Sequence, residues 1–291
     1  METPGLVVLG FSVAAMLFGW WTFGVARLAR PPLGVFSLAD IGVMLAAVVL
    51  VPVLYLVAPT PCVAVLLLLA AASALHTLFS AALESEWAVW SVIGFALTGD
   101  VACFLWLGPH HPVFGVVNNS VLVCLTGTVA ALWVQSGLTA RHAAVLISAI
   151  GVYDFVATGL EPVTDNLLAR LTGMPLAPVV SWGPVSVGLG DLLIATTAPV
   201  VYRKAFGTTA GFIAMSTAIL GIATALVLHA SVPLMSVLGP MLVLEYAAWR
   251  HWHGPERTTW EHSLITRSPG KDATVPLTGM AASEQCQRRC C

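Results

Sequence analysis

Seven ionisable side chains lie within or beside long apolar runs of this chain: Asp40, His76, Asp100, Asp154, Asp191, His229 and Glu245. At bilayer depth such a group costs about 2.5–3.5 kcal/mol on insertion scales, so each needs a reason to be there. Two stand in contexts that suit chemistry. Asp154 follows Tyr153 in AIGVYDFVATGL, and Asp191 closes Gly188-Leu189-Gly190-Asp191 in VSVGLGDLLIATTAPVV. Two carboxylates held close together in a low dielectric do not both ionise; they share a proton and titrate as a pair. Such a pair hydrolyses a peptide bond without metal, cofactor or covalent intermediate. One carboxylate takes a proton from the attacking water, and the other supplies one to the developing oxyanion and then the leaving amine.

The elements that must position this pair are helices in lipid. Charged residues make up 9% of the chain and hydrophobic ones 58%. A soluble domain carries about 25% charge, so these proportions leave too little polar surface to face water. Apolar runs of roughly 20 residues are the natural unit, and nine are expected, at about 5–26, 36–58, 62–83, 87–107, 114–136, 140–160, 181–202, 209–230 and 233–252. The expected fold class is therefore an all-α, polytopic membrane bundle over residues 1–253, followed by a disordered cytoplasmic tail over 254–291. The first run lacks a basic leader and reads as a retained helix rather than a cleaved signal. The linker 161–180 has room for a short amphipathic helix. Basic residues set the orientation: all but Arg170 of the 12 Lys and Arg fall in the tail or in loops after odd-numbered spans. The N-terminus is then expected outside and the C-terminus in the cytoplasm. The consecutive sixth and seventh helices run antiparallel, which would place Asp154 and Asp191 at similar depth. Asp191 would lie mid-helix, nine or ten residues past the start of its span.

At Tyr153-Asp154 and Gly188-Leu189-Gly190-Asp191 the chain resembles the presenilin and signal peptide peptidase family of GxGD intramembrane aspartyl proteases. That family has nine helices, a YD motif on the sixth, GxGD on the seventh and PAL at the start of the ninth. The third motif departs here: the ninth span opens Pro233-Leu234-Met235, with Leu in place of the small central Ala, and Pro240 is a second candidate for its role. The resemblance implies Asp154 and Asp191 as catalytic residues, with Tyr153, Gly188, Leu189, Gly190 and Pro233 shaping the site. The orientation matches the signal-peptide-peptidase side of the family, whose substrates are membrane spans with cytoplasmic N-termini, such as leftover signal peptides.

Other readings stand beside this one. Asp100, in ALTGDVAC, is a third carboxylate at span depth, and a proton- or cation-coupled transporter would use Asp100, Asp154 and Asp191 as a relay. As an anchor, Asp100 would bond Thr98 or a Trp. Prepilin-peptidase-like enzymes also use GxGD, but usually with a Lys soon after the Asp, where this chain has Leu192-Leu193-Ile194. Asp40 is expected to cap the second helix, His76 and His229 to make helix contacts, and Glu245 to reach Arg250 or water. Asn118-Asn119-Ser120 is a glycosylation sequon too close to the fifth span for use. The cysteines lack CxxC spacing and there is no HExxH, so no metal centre is expected. Cys290-Cys291 are read as incidental tail residues rather than lipid acceptors. No basic stretch with interleaved aromatics points to nucleic acid.

Overall fold

The computed structural model describes residues 3–26, 28, 37–159, 174–228 and 234–257. Among them are nine helices and one hairpin. In chain order these are α1 (Thr3–Val25), α2 (Leu38–Val57), α3 (Thr60–Phe79), α4 (Glu86–Leu107), α5 (Pro112–Gln135), α6 (Ala140–Gly159), β1 (Val179–Trp182), β2 (Val185–Gly188), α7 (Leu189–Phe206), α8 (Thr208–Leu228) and α9 (Leu234–His253). Six helices, α1 to α5 and α8, are long and apolar enough to cross a membrane by length and composition. A helical bundle carrying six such elements is that of an integral membrane protein. Pro233, His229 and most of the 161–180 linker lie outside the described residues, as does the tail beyond Arg257.

Local chemistry starts several of these helices. Ser37 caps α2 in a reciprocal capping box with Asp40, the role expected of that carboxylate. Pro112 opens α5 directly after His111, whose ring nitrogen accepts the Val113 N–H. The seventh helix departs from expectation. Residues 179–188 form an antiparallel hairpin, and α7 begins only at Leu189 with Gly188 as its N-cap. Gly183 and Pro184 make the two-residue turn, and Gly183 supplies the positive φ of 60° that its first position demands. The bundle is therefore not purely helical, and Asp191 sits in the first turn of α7 rather than mid-helix.

Helix α7 is the core element. Every residue from Ile194 to Tyr202 is buried, and α5, α8 and α1 pack around it. Polar side chains near its end tie neighbouring helix ends together. Arg203 Nη1 donates to the Trp20 carbonyl near the end of α1, at 3.0 Å, with its guanidinium over the Trp20 ring. The buried Lys204 Nζ donates to the Val134 and Leu138 carbonyls at the end of α5. Beyond α9, Glu256 accepts the Ala140 N–H at the start of α6, and the Arg257 N–H donates to the Ala205 carbonyl. The ends of α1, α5, α7 and α9 and the start of α6 therefore gather at one face. The hairpin and the start of α7 lie at the other.

The α1–α5 contact depends on two glycines. A Cβ on Gly127 would stand 2.9 Å from the Gly19 nitrogen and 2.5 Å from Phe18 Cδ1. Gly127→Ala is therefore expected to destabilise the bundle by about 1–3 kcal/mol through overpacking. The check is thermal unfolding in detergent, beside Gly10→Ala, whose Cβ would meet open space.

Candidate functional site

Helix α6 carries Asp154 toward its end, where α6 packs against both α7 and α9. Close approach of α9 is possible because Gly151, one turn before Asp154, has no side chain. A Cβ there would lie 3.2 Å from the Met235 carbonyl oxygen. With α9 this near, Asp154 Oδ2 accepts the Met235 backbone N–H at 3.0 Å. Met235 lies in the first turn of α9, where backbone N–H groups have no partner within the helix, so the carboxylate satisfies one of them. The Pro-Leu-Met segment that stands where PAL is expected thus reaches Asp154 through Met235 and its backbone. Substitution at the central Leu234 does not bear on that bond.

Asp191 enters from the other side. It belongs to the first turn of α7, so the open N–H groups and positive dipole end of the helix surround it. The Asp154 and Asp191 carboxylates lie within electrostatic reach of each other. Tyr153 is half-buried beside Asp154. The glycines of the GLGD run have distinct roles. A Cβ on Gly188 would stand 3.3 Å from Asp191 Oδ2, so this glycine makes room for the carboxylate itself. A Cβ on Gly190 would meet nothing within 4 Å, so bare backbone there faces open space beside Asp191. The Leu189 N–H donates to the Pro178 carbonyl at 2.9 Å and pins the start of α7 to the start of the hairpin.

The hairpin has one closed edge and one open one. Asn119 on α5 grips β1 like another strand: its Nδ2 donates to the Ser181 carbonyl at 2.9 Å and its Oδ1 accepts the Ser181 N–H at 3.3 Å. Ser181 therefore directs its backbone groups away from β2, which makes Ser181 and its partner Ser186 a non-hydrogen-bonded pair. By the same alternation the Ser186 N–H and C=O and the Gly188 N–H face away from β1. Ser186 is exposed, and among the described residues nothing pairs with this edge of β2, which runs toward Asp191.

A cleft of about 330 Å³ between α6 and α9 lies next to Asp154, lined by Gly151, Val152, Phe155, Ser236, Gly239 and Pro240. Its lining is almost wholly apolar, and Pro240 belongs to it rather than to the Asp154 contact.

Asp100 stands apart from the pair. It is fully buried on α4 and bonds neither Thr98 nor a Trp. Its Oδ2 accepts the Leu176 N–H at 3.1 Å, while Thr98 bonds the Gly94 carbonyl of its own helix. Asn118 Oδ1 accepts the same Leu176 N–H at 3.0 Å, so the sequon's asparagine is a buried structural element. Glu245 accepts the Trp249 indole N–H, whereas Arg250 donates to Tyr246. His76 makes the helix contact expected of it, 3.4 Å from Glu86 across the α3–α4 junction. Sequence reasoning missed Met235, Gly151 and Asn119. Two adjacent amides in an apolar helix were a usable signal, since buried amides need partners.

Comparison with protein-family models and with curated proteins gives no match.

The two kinds of glycine make opposite forecasts. Gly151→Ala is expected to lower stability by about 1–3 kcal/mol as α9 is pushed from α6. Gly190→Ala, at an unstrained helical position facing open space, is expected to be neutral or to stabilise by up to about 1 kcal/mol. Denaturation midpoints of the two variants in the same detergent check the contrast.

Proposed function

We propose that this protein is an intramembrane aspartyl protease that uses Asp154 and Asp191 to hydrolyse peptide bonds within transmembrane segments. The approach of these two carboxylates from α6 and α7, beside an open strand edge, carries the reading. One carboxylate removes a proton from water as its oxygen attacks the peptide carbonyl carbon. The other donates a proton to the oxyanion. On collapse the C–N bond breaks, the amine leaves with a proton, and a carboxylic acid remains. A transmembrane substrate arrives as a helix whose backbone bonds are already made, so it must unwind first. The outward N–H and C=O groups of β2 offer an unwound strand replacement partners directly before Asp191, in the manner of strand addition. The apolar α6–α9 cleft gives a side chain of that strand somewhere to lie next to Asp154.

The fold that accompanies this function is a nine-span, presenilin-like bundle, with the N-terminus outside and the C-terminus cytoplasmic. The gathering of the α1, α5, α7 and α9 ends at one face supports alternate crossing, and Arg203, Lys204 and Arg250 lie toward that face. Substrates are then spans whose N-termini lie in the cytoplasm, signal peptides among them. Engagement of Asp100 by the Leu176 backbone favours an anchor over the relay that a coupled transporter would need.

Cleavage of a membrane-span reporter by purified protein in lipid tests the assignment. Asp154→Ala and Asp191→Ala are each expected to lower the rate by about 10²–10⁴-fold, the usual contribution of a positioned acid or base. Equal cleavage by wild type and both variants would end the proposal. A tail-fused reporter that reads outside would overturn the orientation and leave the chemistry standing.

A further inference from the structure

We propose that Asp100 and Asn118 act together as positioning residues for Asp191, by holding the Leu176 N–H and so fixing the hairpin that leads into α7. The proposal rests on the protease reading for its kinetic consequence, but its structural part stands alone.

Leu176 has φ of 54°, and among the described residues it alone has a positive φ without being glycine. The left-handed conformation costs a residue with a Cβ about 1–2 kcal/mol. It persists only where the surroundings enforce it. The enforcing groups are on the page. Asp100 Oδ2 from α4 and Asn118 Oδ1 from α5 converge on the one N–H, at 3.1 and 3.0 Å. All three residues are buried, with Asp100 at 0%, Asn118 at 4% and Leu176 at 2% exposure. Asp100 Oδ1 is also buried and finds no hydrogen-bond partner among the described residues. A carboxyl buried this way, with one oxygen on a backbone N–H that Asn118 also holds, is placed for a backbone contact.

From Leu176 to the carboxylate the connections are short. Two residues on, the Pro178 carbonyl accepts the Leu189 N–H, and Val179 pairs with Gly188. Gly188 is in turn so close to Asp191 that a Cβ there would press on Oδ2. A shift of Leu176 therefore moves Gly188 and Leu189, and with them the carboxylate and the open edge of β2. Misplacing a reacting group by an ångström can cost about 10²-fold in rate.

The substitutions separate a positioning role from a titrating one. Asp100→Asn keeps an acceptor oxygen but cannot ionise; Asp100→Ala removes the acceptor. Two readouts apply to the full chain in lipid: reporter cleavage, and hydrogen exchange over residues 174–188. Asp100→Asn is expected to stay within about threefold of wild type in kcat, with unchanged exchange. Asp100→Ala is expected to lose about tenfold or more in kcat with KM little changed, and to exchange faster across the hairpin. Asn118→Ala, which leaves the carboxylate in place, provides a second removal and should move both readouts in the same direction. In a Leu176→Gly background, where a positive φ carries no penalty, the loss caused by Asp100→Ala should shrink to about threefold or less. Equal losses in Asp100→Asn and Asp100→Ala overturn the proposal, as does unchanged hairpin exchange in Asp100→Ala. Wild-type protein that cleaves nothing would refute the protease reading alone, because the exchange measurements decide the positioning without it.

Discussion

Non-helical backbone inside an apolar bundle needs hydrogen-bond partners, and the hairpin end of the bundle is arranged around supplying them. Each unpaired amide group carried into apolar surroundings costs about 2–7 kcal/mol, depending on the reference state. The segment from Leu176 to Gly188 is extended or turning, so its groups cannot pair within a helix. Asp100 and Asn118 take the Leu176 N–H, Asn119 takes both groups of Ser181, and Pro178 receives Leu189. Asp154 does the same for the first turn of α9. Asp100, Asn118, Asn119 and Asp154 share one task, the satisfaction of backbone that helices leave open. Asp154 alone among them also lies within electrostatic reach of Asp191, which is why the proposed chemistry is assigned to it.

How far this was legible in the sequence depended on what kind of contact each residue makes. Asp154 was placed well because the apolar run that holds it is helix throughout, and the expected 140–160 run became Ala140–Gly159. Asp191 was misplaced by more than two turns. The stretch from Val179 to Tyr202 is nearly continuous in hydropathy, and hydropathy does not separate a short buried strand from a helix. The β-branched pattern VVSW-GP-VSVG was the better guide, since a two-residue Gly-containing turn between such runs reads as a hairpin. Glu245 illustrates a simpler geometric point. Arg250 is five residues on, while Trp249 is four on and shares its face, and the observed bonds follow the i, i+4 rule. The Met235 contact was invisible in principle, because a backbone N–H donates whatever the side chain is.

The helices that bear the candidate site are also the least lipid-like. Among the described residues, helices α1 to α5 and α8 meet the length and hydropathy expected of a span, while α6, α7 and α9 carry Asp154, Asp191 with Arg203 and Lys204, and Glu245 with Arg250. In α7 the shortfall has two sources. Its first eight expected residues went into the hairpin, and its last turn carries Arg203 and Lys204. Both are bound to neighbouring helices rather than to lipid, Arg203 on Trp20 and Lys204 on the carbonyl end of α5, where a cation meets the negative end of the helix dipole. A short, polar-ended helix is tolerated at the centre because six more apolar helices accompany it.

That trade has a consequence for how a substrate could be accommodated. A helix occupying 181–202 throughout would have presented satisfied backbone to any neighbour, and an unwound peptide beside it would have lost its own bonds for nothing. Starting α7 only at Leu189 and forming a hairpin over the preceding residues turns the Ser186 N–H and C=O and the Gly188 N–H away from β1, a few residues before Asp191. In the proposed reaction a peptide that pairs there would recover part of what unwinding costs, and only when its backbone lies extended next to Asp191. Gly190 adds to this by leaving open space instead of a side chain beside that carboxylate. The same departure from regular helix that misled the hydropathy reading is thus the feature on which the proposed engagement of a substrate depends.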